Sequence, residues 1–487
     1  MKKIISIIIA GFLATVLIYS QNQMDALRFS QTYPGGTARN ISMGGAFGSL
    51  GADLGGLSVN PAGAGVYRKS EFTFSMGMDK AFTESKFLGN KSEEFNYKFN
   101  VSNFGLIGVY NSGQEKGWVS TSFGLTYNRN NNFLIPINIE GVDENSMADY
   151  FLDYSYNSEG FMIHPEDLDE YYERLAFDVY VIDTAYFDDI QDVDYFSNVP
   201  PGDIQKRNSL DISGRNTEWQ FVFGANYSNL FYFGASFSIH SLFYDYQSTH
   251  QEIDIYDLSE NFNDFTFTLQ NETSGSGYSF KIGAIVKPIQ PLRIGFSFHS
   301  PVFYSLSDKY ITSMSSNYIT GSADPNGWKN YDYDLVTPSK IVSSIGIQFG
   351  KIGLISVDVE NINWDRMRFR NGGDGHDYYY ENQDISDIYK NATNIRTGGE
   401  FRLGPFALRG GYNYYGSAFE KDEENKASDY SAISGGIGFR QESFFVDAGL
   451  YQLIHKEKYY IYDYQGVEPA DLKMINTRFI ATVGLKF

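Results

Sequence analysis

Apolar and polar residues alternate with a period of two along many segments of this sequence, each about ten residues long. Glycine, asparagine, aspartate or proline residues bound most of these segments. A period of two places apolar side chains on one face of an extended strand and polar side chains on the other. The pattern predicts about fourteen strands, at residues 70–79, 99–110, 118–128, 218–227, 231–246, 265–286, 292–304, 340–349, 352–364, 394–403, 406–414, 430–439, 444–455 and 478–487.

The connections between these strands alternate in length. Short turns are predicted at 111–117, 228–230, 287–291, 350–351, 404–405 and 440–443, and long polar stretches at 139–216, 307–339 and 371–391. Short turns at one rim and long loops at the other are typical of membrane β-barrels, which also have an even number of strands. We therefore predict an all-β fold: a transmembrane antiparallel β-barrel of about 14 strands over residues 68–487, with a long acidic extracellular loop at 139–216.

The strand parity also predicts which side chains face the lumen. In the segment 292–304, Leu292, Ile294 and Phe296 alternate with Arg293 and other polar residues. A charge that faces lipid near the bilayer centre costs roughly 2–4 kcal/mol, so the charged faces should point inward. The predicted lumen-facing polar residues are Arg293, His299, Asp358, Glu360, Arg396, Glu400, Arg402, Arg409 and Asp447. The simpler interpretation is that these charged residues form ion pairs that hold a plug in the lumen. The alternative is that they take part in substrate passage.

Composition narrows the possible classes of protein. The chain has 487 residues, and aromatic residues make up 17% of them, which favours β-sheet. Cysteine is absent, which excludes disulfide frameworks, thiol nucleophiles and a lipoprotein anchor. The net charge of -21 argues against nucleic-acid binding. Residues 1–20 combine a basic start with an apolar run, which predicts a cleaved signal peptide and export.

Residues 21–67 lack strand alternation and hold ten of the 48 glycines. Apolar residues are interleaved with these glycines, unlike the composition of a flexible polar linker. Glycine permits close approach of backbones, and irregular backbone at membrane depth is tolerated only inside protein or beside a wet cavity. This segment is therefore predicted to form a compact plug inside the barrel.

The end of this segment resembles the hatch of the FadL/TodX family, outer-membrane transporters of long-chain fatty acids and aromatic hydrocarbons. The likeness lies in the Gly/Ala-rich stretch, in Asp53, and in Asn60-Pro61-Ala62-Gly63 ahead of the first strand. The segments 283–288, 292–301 and 337–340 support it. The likeness extends from the hatch through the last strand.

The resemblance implies passive uptake of a hydrophobic small molecule through a hatch-plugged lumen, with a lateral exit where the third strand is kinked. Gly124 is the candidate kink residue, and the gate would comprise Asp53, Asn60, Pro61, Ala62 and Gly63. One departure is the loop 139–216, which is longer and more acidic than the family pattern.

Two other functions stay open at this point. Some relatives act as shuttle or interaction proteins in type IX secretion, and the acidic, aromatic loop 139–216 would then be a docking surface. A haemin-binding receptor would use His164 or His376 as an axial ligand. No motif indicates catalysis, so we expect no enzyme, cofactor or metal. The expected partners are outer-membrane lipid, lipopolysaccharide and a hydrophobic ligand, around a monomeric barrel in the bacterial outer membrane.

Overall fold

The computed structural model describes residues 22–187, 192–317, 322–325, 327–421, 423, 425, 428–462, 464 and 466–487. The predicted signal peptide at 1–20 lies outside these described residues. The helices are α1 (Gln23–Ser30), α2 (Ala38–Ser42), α3 (Met147–Tyr154), α4 (Glu173–Asp178) and α5 (Tyr379–Ile388). The strands are β1 (Glu71–Phe87), β2 (Asn90–Asn111), β3 (Trp118–Asn131), β4 (Ile135–Asp143), β5 (Ile182–Phe187), β6 (Asp192–Ser197), β7 (Ile204–Tyr227), β8 (Phe231–Ile253), β9 (Asp264–Ile289), β10 (Leu292–His299), β11 (Phe303–Ser316), β12 (Ser322–Ala323), β13 (Lys329–Val336), β14 (Lys340–Phe349), β15 (Gly353–Asn363), β16 (Arg368–Arg370), β17 (Asn391–Leu403), β18 (Phe406–Tyr415), β19 (Tyr430–Arg440), β20 (Phe444–Tyr459) and β21 (Ala470–Lys486).

Fourteen of these strands form a closed antiparallel barrel, which confirms the predicted fold. Each ring strand pairs with its neighbours, and β1 pairs with β21 to close the ring, with Glu71 opposite Lys486. Each of the fourteen predicted segments falls in a different ring strand. The ring order is β1, β2, β3, β7, β8, β9, β10, β14, β15, β17, β18, β19, β20, β21.

The wall is extended at the end where the long connections lie, which we call the loop rim; the opposite end is the turn rim. Beyond short interruptions, β3 resumes as β4, which pairs with β7. Likewise β10 resumes as β11, which pairs with β9. β13 and β16 extend β14 and β15 in the same way and pair with each other. The ring strands therefore run well beyond the segments that hydrophobic alternation predicts.

The predicted loop at 139–216 is too wide, because β4 runs to Asp143 and β7 begins at Ile204. Buried and exposed positions alternate regularly along the start of β7. Polar residues occupy both kinds of position, and Lys206 and Asn208 are examples at buried positions. Alternation of hydrophobicity is therefore lost although the strand persists. The connection proper spans 144–203.

Residues 144–187 and 192–203 form a compact unit at the loop rim, which we call the cap. It contains α3, α4 and the β5–β6 hairpin, and Phe151, Leu175 and Val181 are buried in its core. The N-terminus of α3 is fixed to β8 by Glu252, whose Oε1 accepts from the backbone N–H of Met147 at 2.7 Å. Among the described residues, no helix has the length and apolar character needed to cross a membrane.

The barrel is apolar outside and polar inside. On β8, Phe233 and Phe237 are exposed on the outer face, whereas Ser238 and His240 are buried on the inner face. The same alternation recurs on β10, where Phe296 is exposed and Ser297 is buried. The outward positions therefore form an apolar exterior, and the inward positions form a polar lining.

Candidate functional site

Residues 22–67, here called the inner segment, lie inside the ring. The backbone N–H of Ala38 donates to Thr482 Oγ1 of β21 at 2.8 Å. Ser122 of β3 donates to the carbonyl of Ala64 at 2.6 Å, so contacts come from separate parts of the wall. Nearly every residue from Pro34 to Gly65 is buried. The inner segment therefore fills the barrel at this level.

The predicted gate residues hold the inner segment together. Asp53 Oδ1 accepts hydrogen bonds from Thr37 Oγ1 at 2.6 Å and from the N–H of Gly55 at 3.1 Å. Asn60 caps the short 3-10 helix Pro61–Val66 by accepting from Ala62 N–H. Its Nδ2 donates to the carbonyl of Gly48 at 2.6 Å. These two side chains therefore fix loops of an otherwise irregular chain.

Pro61, Ala62 and Gly63 form the first turn of that 3-10 helix and are fully buried. The carbonyl of Gly63 accepts from the N–H of Ala52 at 3.1 Å, which joins the two halves of the inner segment. Proline at the first position suits a helix start, because its missing N–H would have no partner there.

Glycines on the barrel wall receive the inner segment, and the sequence analysis did not single them out. We call this set the glycine collar: at each member, an added Cβ would lie within 3.0 Å of an inner-segment atom. It occupies ten of the fourteen ring strands. Its members are Gly105, Gly224, Gly234, Gly283, Gly295, Gly346, Gly398, Gly411, Gly436 and Gly449. The signal that could have revealed them is glycine at lumen-facing parity in successive strands.

A chain of buried ion pairs joins the inner segment to the wall. Arg39 of α2 donates from Nε to Glu400 Oε2 at 3.0 Å, and Arg409 donates to the same oxygen at 2.7 Å. Arg409 also reaches Asp447 Oδ1 at 2.8 Å. Arg402, which is more exposed, contacts Glu400 Oε1 at 2.6 Å. Removal of one partner from such a buried pair typically costs about 3–5 kcal/mol, because a charge is left uncompensated.

Three further predicted lumen residues bond to the backbone of the inner segment. Arg293 Nη1 donates to the carbonyl of Leu50 at 2.7 Å. His299 Nε2 lies 2.8 Å from the carbonyl oxygen of Val59 and donates to it. Asp358 Oδ2 accepts from the N–H of Gly48 at 2.9 Å.

The remaining predicted pair binds within the wall. Glu360 Oε2 accepts from Arg396 Nη2 at 2.7 Å, while Asn394 donates to Glu360 Oε1 at 2.9 Å. A second wall pair that the sequence analysis missed joins Lys281 Nζ to Glu218 Oε1 at 2.5 Å. Its members lie on β9 and β7, and only the fold brings them together.

The predicted kink residue Gly124 lies in a regular part of β3. It pairs with Val222 and Ile107 without a register shift. The irregularities of β3 lie at Trp118/Ser120 and at Arg129/Asn131, and the strand is interrupted at 132–134. The register of β3 is therefore regular at Gly124, and a kink at this residue stays a prediction.

The interruption opens a seam in the wall. Pairing of β2 with β3 ends at Asn103 opposite Asn128. Beyond that point, within the described residues, β2 pairs with β1 only and β4 pairs with β7 only. Ser85 of β1 bonds to the carbonyl of Asn138, so β4 leans against the β1–β2 hairpin without joining its ladder. We call this place the β2–β4 seam.

A cavity of about 680 Å³ lies beside the seam, above α1 and below the cap. Asn131, Phe133 and Leu134, at the strand interruption, form part of its wall. Leu27 and Arg28 of α1 contribute to its floor, and Tyr172 of the cap contributes to its cover. We call it the upper cavity. Its volume lies within the range of roughly 300–1,000 Å³ that is usual for small-molecule sites.

The two histidines considered for haem have local protein partners. His164 Nδ1 accepts from the N–H of Glu166 at 3.3 Å, at the start of a 3-10 helix. His376 Nε2 lies 2.9 Å from Glu381 Oε1. In the described part of the chain, no group of three or more His, Asp or Glu side chains is arranged to hold a metal ion.

Solved structures share this fold at low sequence identity. A Pseudomonas aeruginosa FadL homologue aligns with a TM-score of 0.60 at 12% identity, over 94% of this chain and 100% of that one. The Pseudomonas putida toluene transporter TodX gives 0.53 at 12% identity, over 93% and 99%. The Ralstonia pickettii toluene transporter TbuX gives 0.50 at 13% identity, over 93% and 99%. No protein-family model and no curated protein sequence matches the chain.

Proposed function

We propose that this protein is a monomeric outer-membrane channel for passive uptake of hydrophobic small molecules. After export and loss of residues 1–20, the barrel spans the outer membrane in contact with its lipid and lipopolysaccharide. The apolar exterior supports this placement, because a soluble protein rarely exposes such a continuous apolar surface. The ligand belongs to the class that includes long-chain fatty acids and aromatic hydrocarbons. The toluene transporters among the solved structures of the same fold support the aromatic part of this class.

The observation that carries this proposal is the position of the upper cavity against the β2–β4 seam. A ligand held in the cavity touches residues 131–134, where the wall lacks continuous strand pairing. Apolar walls stabilise a bound apolar ligand by about 25 cal/mol for each Å² that leaves water. A ligand that leaves through the seam enters the bilayer without crossing water, so the route needs no pump.

The inner segment would close the straight route through the lumen and the inner side of the seam. The carbonyl of Asn130 accepts from Tyr33 N–H at 3.3 Å, and Arg478 donates to the carbonyl of Pro34 at 3.1 Å. Residues 33–34 thus lie directly behind the interruption in the wall. A shift of this short stretch would open the exit while the glycine collar still holds the rest of the inner segment.

The natural absence of cysteine allows a direct test of the lateral exit. The variant Val101→Cys/Asn132→Cys is bridged across the seam by a thiol-cleavable bifunctional reagent. We expect the initial uptake rates of oleate and toluene to fall at least about tenfold, equivalent to about 1.4 kcal/mol on the barrier, and to recover after cleavage.

The control variant is Ser431→Cys/Ile454→Cys, which bridges β19 and β20 at residues that are already paired. Its uptake rate should stay at the level of the unmodified protein. Full uptake by the seam variant with the cross-link verified by mass spectrometry would exclude a lateral exit at this place.

A further inference from the structure

The upper cavity has two chemically different walls. One wall is apolar and is formed by Phe133, Leu134, Ile135, Ile137, Ile212 and Leu269. The other side carries the polar residues Asn394, Asn425, Ser428, His455, Glu457 and Asn476, beside the apolar residues Ala418, Phe419, Leu453 and Met474. Phe133, Leu134, Ile135 and Ile137 lie at the β2–β4 seam, whereas Asn394, Asn425, Ser428, His455 and Glu457 lie away from it.

The two sets of residues lie on different ring strands. The apolar wall belongs to the third, fourth and sixth ring strands, counting β4 as the continuation of β3. The polar wall belongs to the tenth, thirteenth and fourteenth ring strands and to the connection between β18 and β19. A ligand in the cavity would therefore meet mostly hydrocarbon on the side of β4 and β7, and most of the polar side chains on the side of β17 and β20.

Hydrogen-bonding capacity is left over around this cavity. His455 Nε2 has no hydrogen-bond partner within the described residues and lies 3.8 Å from Glu457 Oε2. Asn271 Oδ1, on β9 beside the apolar residues, has no hydrogen-bond partner there either. The His455 ring is held by Tyr430, with ring centroids 5.0 Å apart and planes inclined by 26°. A plain hydrocarbon would leave such buried groups without a partner, which disfavours its binding.

Tyrosines provide flat surfaces around the same space. Eight of them contribute to the cavity wall: Tyr33, Tyr172, Tyr244, Tyr246, Tyr310, Tyr430, Tyr459 and Tyr460. An aromatic ring contacts a rigid ring system over a large area and carries a polar tip as well. The tyrosine rings around the cavity suit a stiff ligand better than a flexible alkyl chain, because a stiff ligand loses less conformational freedom on binding.

From these observations we propose that the upper cavity binds a rigid, ring-containing amphiphile with one hydrocarbon face and one hydroxyl-bearing face. This inference rests on the proposed function, in which the upper cavity is the capture site. The hydrocarbon face lies against Ile135, Ile137 and Ile212, next to the seam. The hydroxyl groups lie against His455 and Asn476.

A matched pair of steroid acids tests this inference. Cholate carries three ring hydroxyl groups on one face, and 5β-cholanate has the same skeleton without them. Trp364 is buried and contributes to the cavity wall, whereas Trp118, Trp219 and Trp328 are exposed, so a fluorescence change of Trp364 reports binding. In lipid nanodiscs, below the micellar concentration and with partitioning corrected on empty nanodiscs, we expect cholate to bind at least about tenfold more tightly.

The variant His455→Leu/Asn476→Leu should remove this preference, because the polar wall then offers two hydrocarbon side chains. The variant Asn111→Leu, at the turn rim, is the control and should keep it. The variant Trp364→Phe should lose the fluorescence change, which assigns the signal to the cavity.

The outcomes separate this inference from the proposed function. Equal affinity for the two acids, or a preference for 5β-cholanate, would overturn the inference. In that case, seam-dependent uptake of oleate and toluene would still support the proposed channel function. Failure of both acids to bind overturns the inference, and failure of seam-dependent uptake overturns the proposed function. A further outcome is that cholate binds more tightly than 5β-cholanate by the same factor in His455→Leu/Asn476→Leu as in the unmodified protein. This result would also overturn the inference, because the preference would then arise from residues other than His455 and Asn476.

Discussion

Two arginines from distant parts of the chain converge on Glu400. Arg39 belongs to the inner segment and Arg409 to β18, and both reach the same carboxylate oxygen. The alternation of apolar and polar residues along β17 and β18 predicts that Glu400 and Arg409 face the lumen, because successive side chains of a strand point to opposite faces of the sheet. Arg39 could not be predicted in this way, because the inner segment has no period from which to infer a direction.

A buried carboxyl group links the stability of the cap to pH. Glu173 begins α4, is buried in the cap, and burial raises its pKa to about 8. An unfolded cap would have the ordinary pKa near 4.5, so the folded cap holds a proton that the unfolded one has released. The stabilisation due to this proton is complete below about pH 4.5 and is lost as the pH rises through about 8.

We therefore expect the cap to open more readily as the pH rises from about 5 to about 8.5. Hydrogen exchange of residues 147–178, corrected for the intrinsic rate, measures this opening. The variant Glu173→Gln should flatten the pH dependence, whereas Glu166→Gln, exposed in the same connection, should keep it. Identical pH profiles for Glu173→Gln and the unmodified protein would contradict the assignment to Glu173.

At the scale of elements, β17 and β18 show how the wall receives the inner segment. Gly398 and Gly411 are paired across these strands and face Met43 and Gly44, whereas the next pair, Gly399 and Gly410, has nothing closer than 3.7 Å. The two glycine pairs are adjacent in sequence and differ only in the side of the sheet that they face. They therefore offer a matched comparison of inward and outward substitutions.

The variant Gly398→Ala/Gly411→Ala should displace α2 and its neighbours, because backbone atoms already occupy the space for each new methyl group. We expect a loss of about 1–3 kcal/mol in stability and faster hydrogen exchange over residues 38–50. The variant Gly399→Ala/Gly410→Ala should leave both quantities nearly unchanged. Equal behaviour of the two variants in thermal unfolding and in exchange would argue against a close backbone fit.

The sequence predicted every ring strand but not the full length of several of them. Alternation is visible only where one face must be apolar, as at Phe233 and Phe237 on β8. Beyond that band both faces are mixed, as along the start of β7, and hydrogen bonding alone continues the strand. The break after Asn131 was missed for a related reason, because it depends on how β4 packs against the β1–β2 hairpin.

At the scale of the whole molecule, the inner segment separates the loop-rim side of the lumen from the turn-rim side. Removal of residues 22–67, with the export signal kept, should raise single-channel conductance in planar bilayers severalfold. Removal of the β5–β6 hairpin, residues 182–197, is the control and should leave conductance low. An unchanged conductance, in a deletion variant whose circular dichroism shows an intact barrel, would contradict a plugging role.

Closure of the ring joins the first barrel strand to the last, with residues 71–86 opposite residues 471–486. The chain must therefore be complete before β21 can pair with β1. The inner segment, which precedes β1, is present during all of this time. If the ring closed first, the inner segment would have to enter a finished barrel and form all ten glycine-collar contacts afterwards. The topology therefore predicts that the inner segment enters the lumen before β21 pairs with β1.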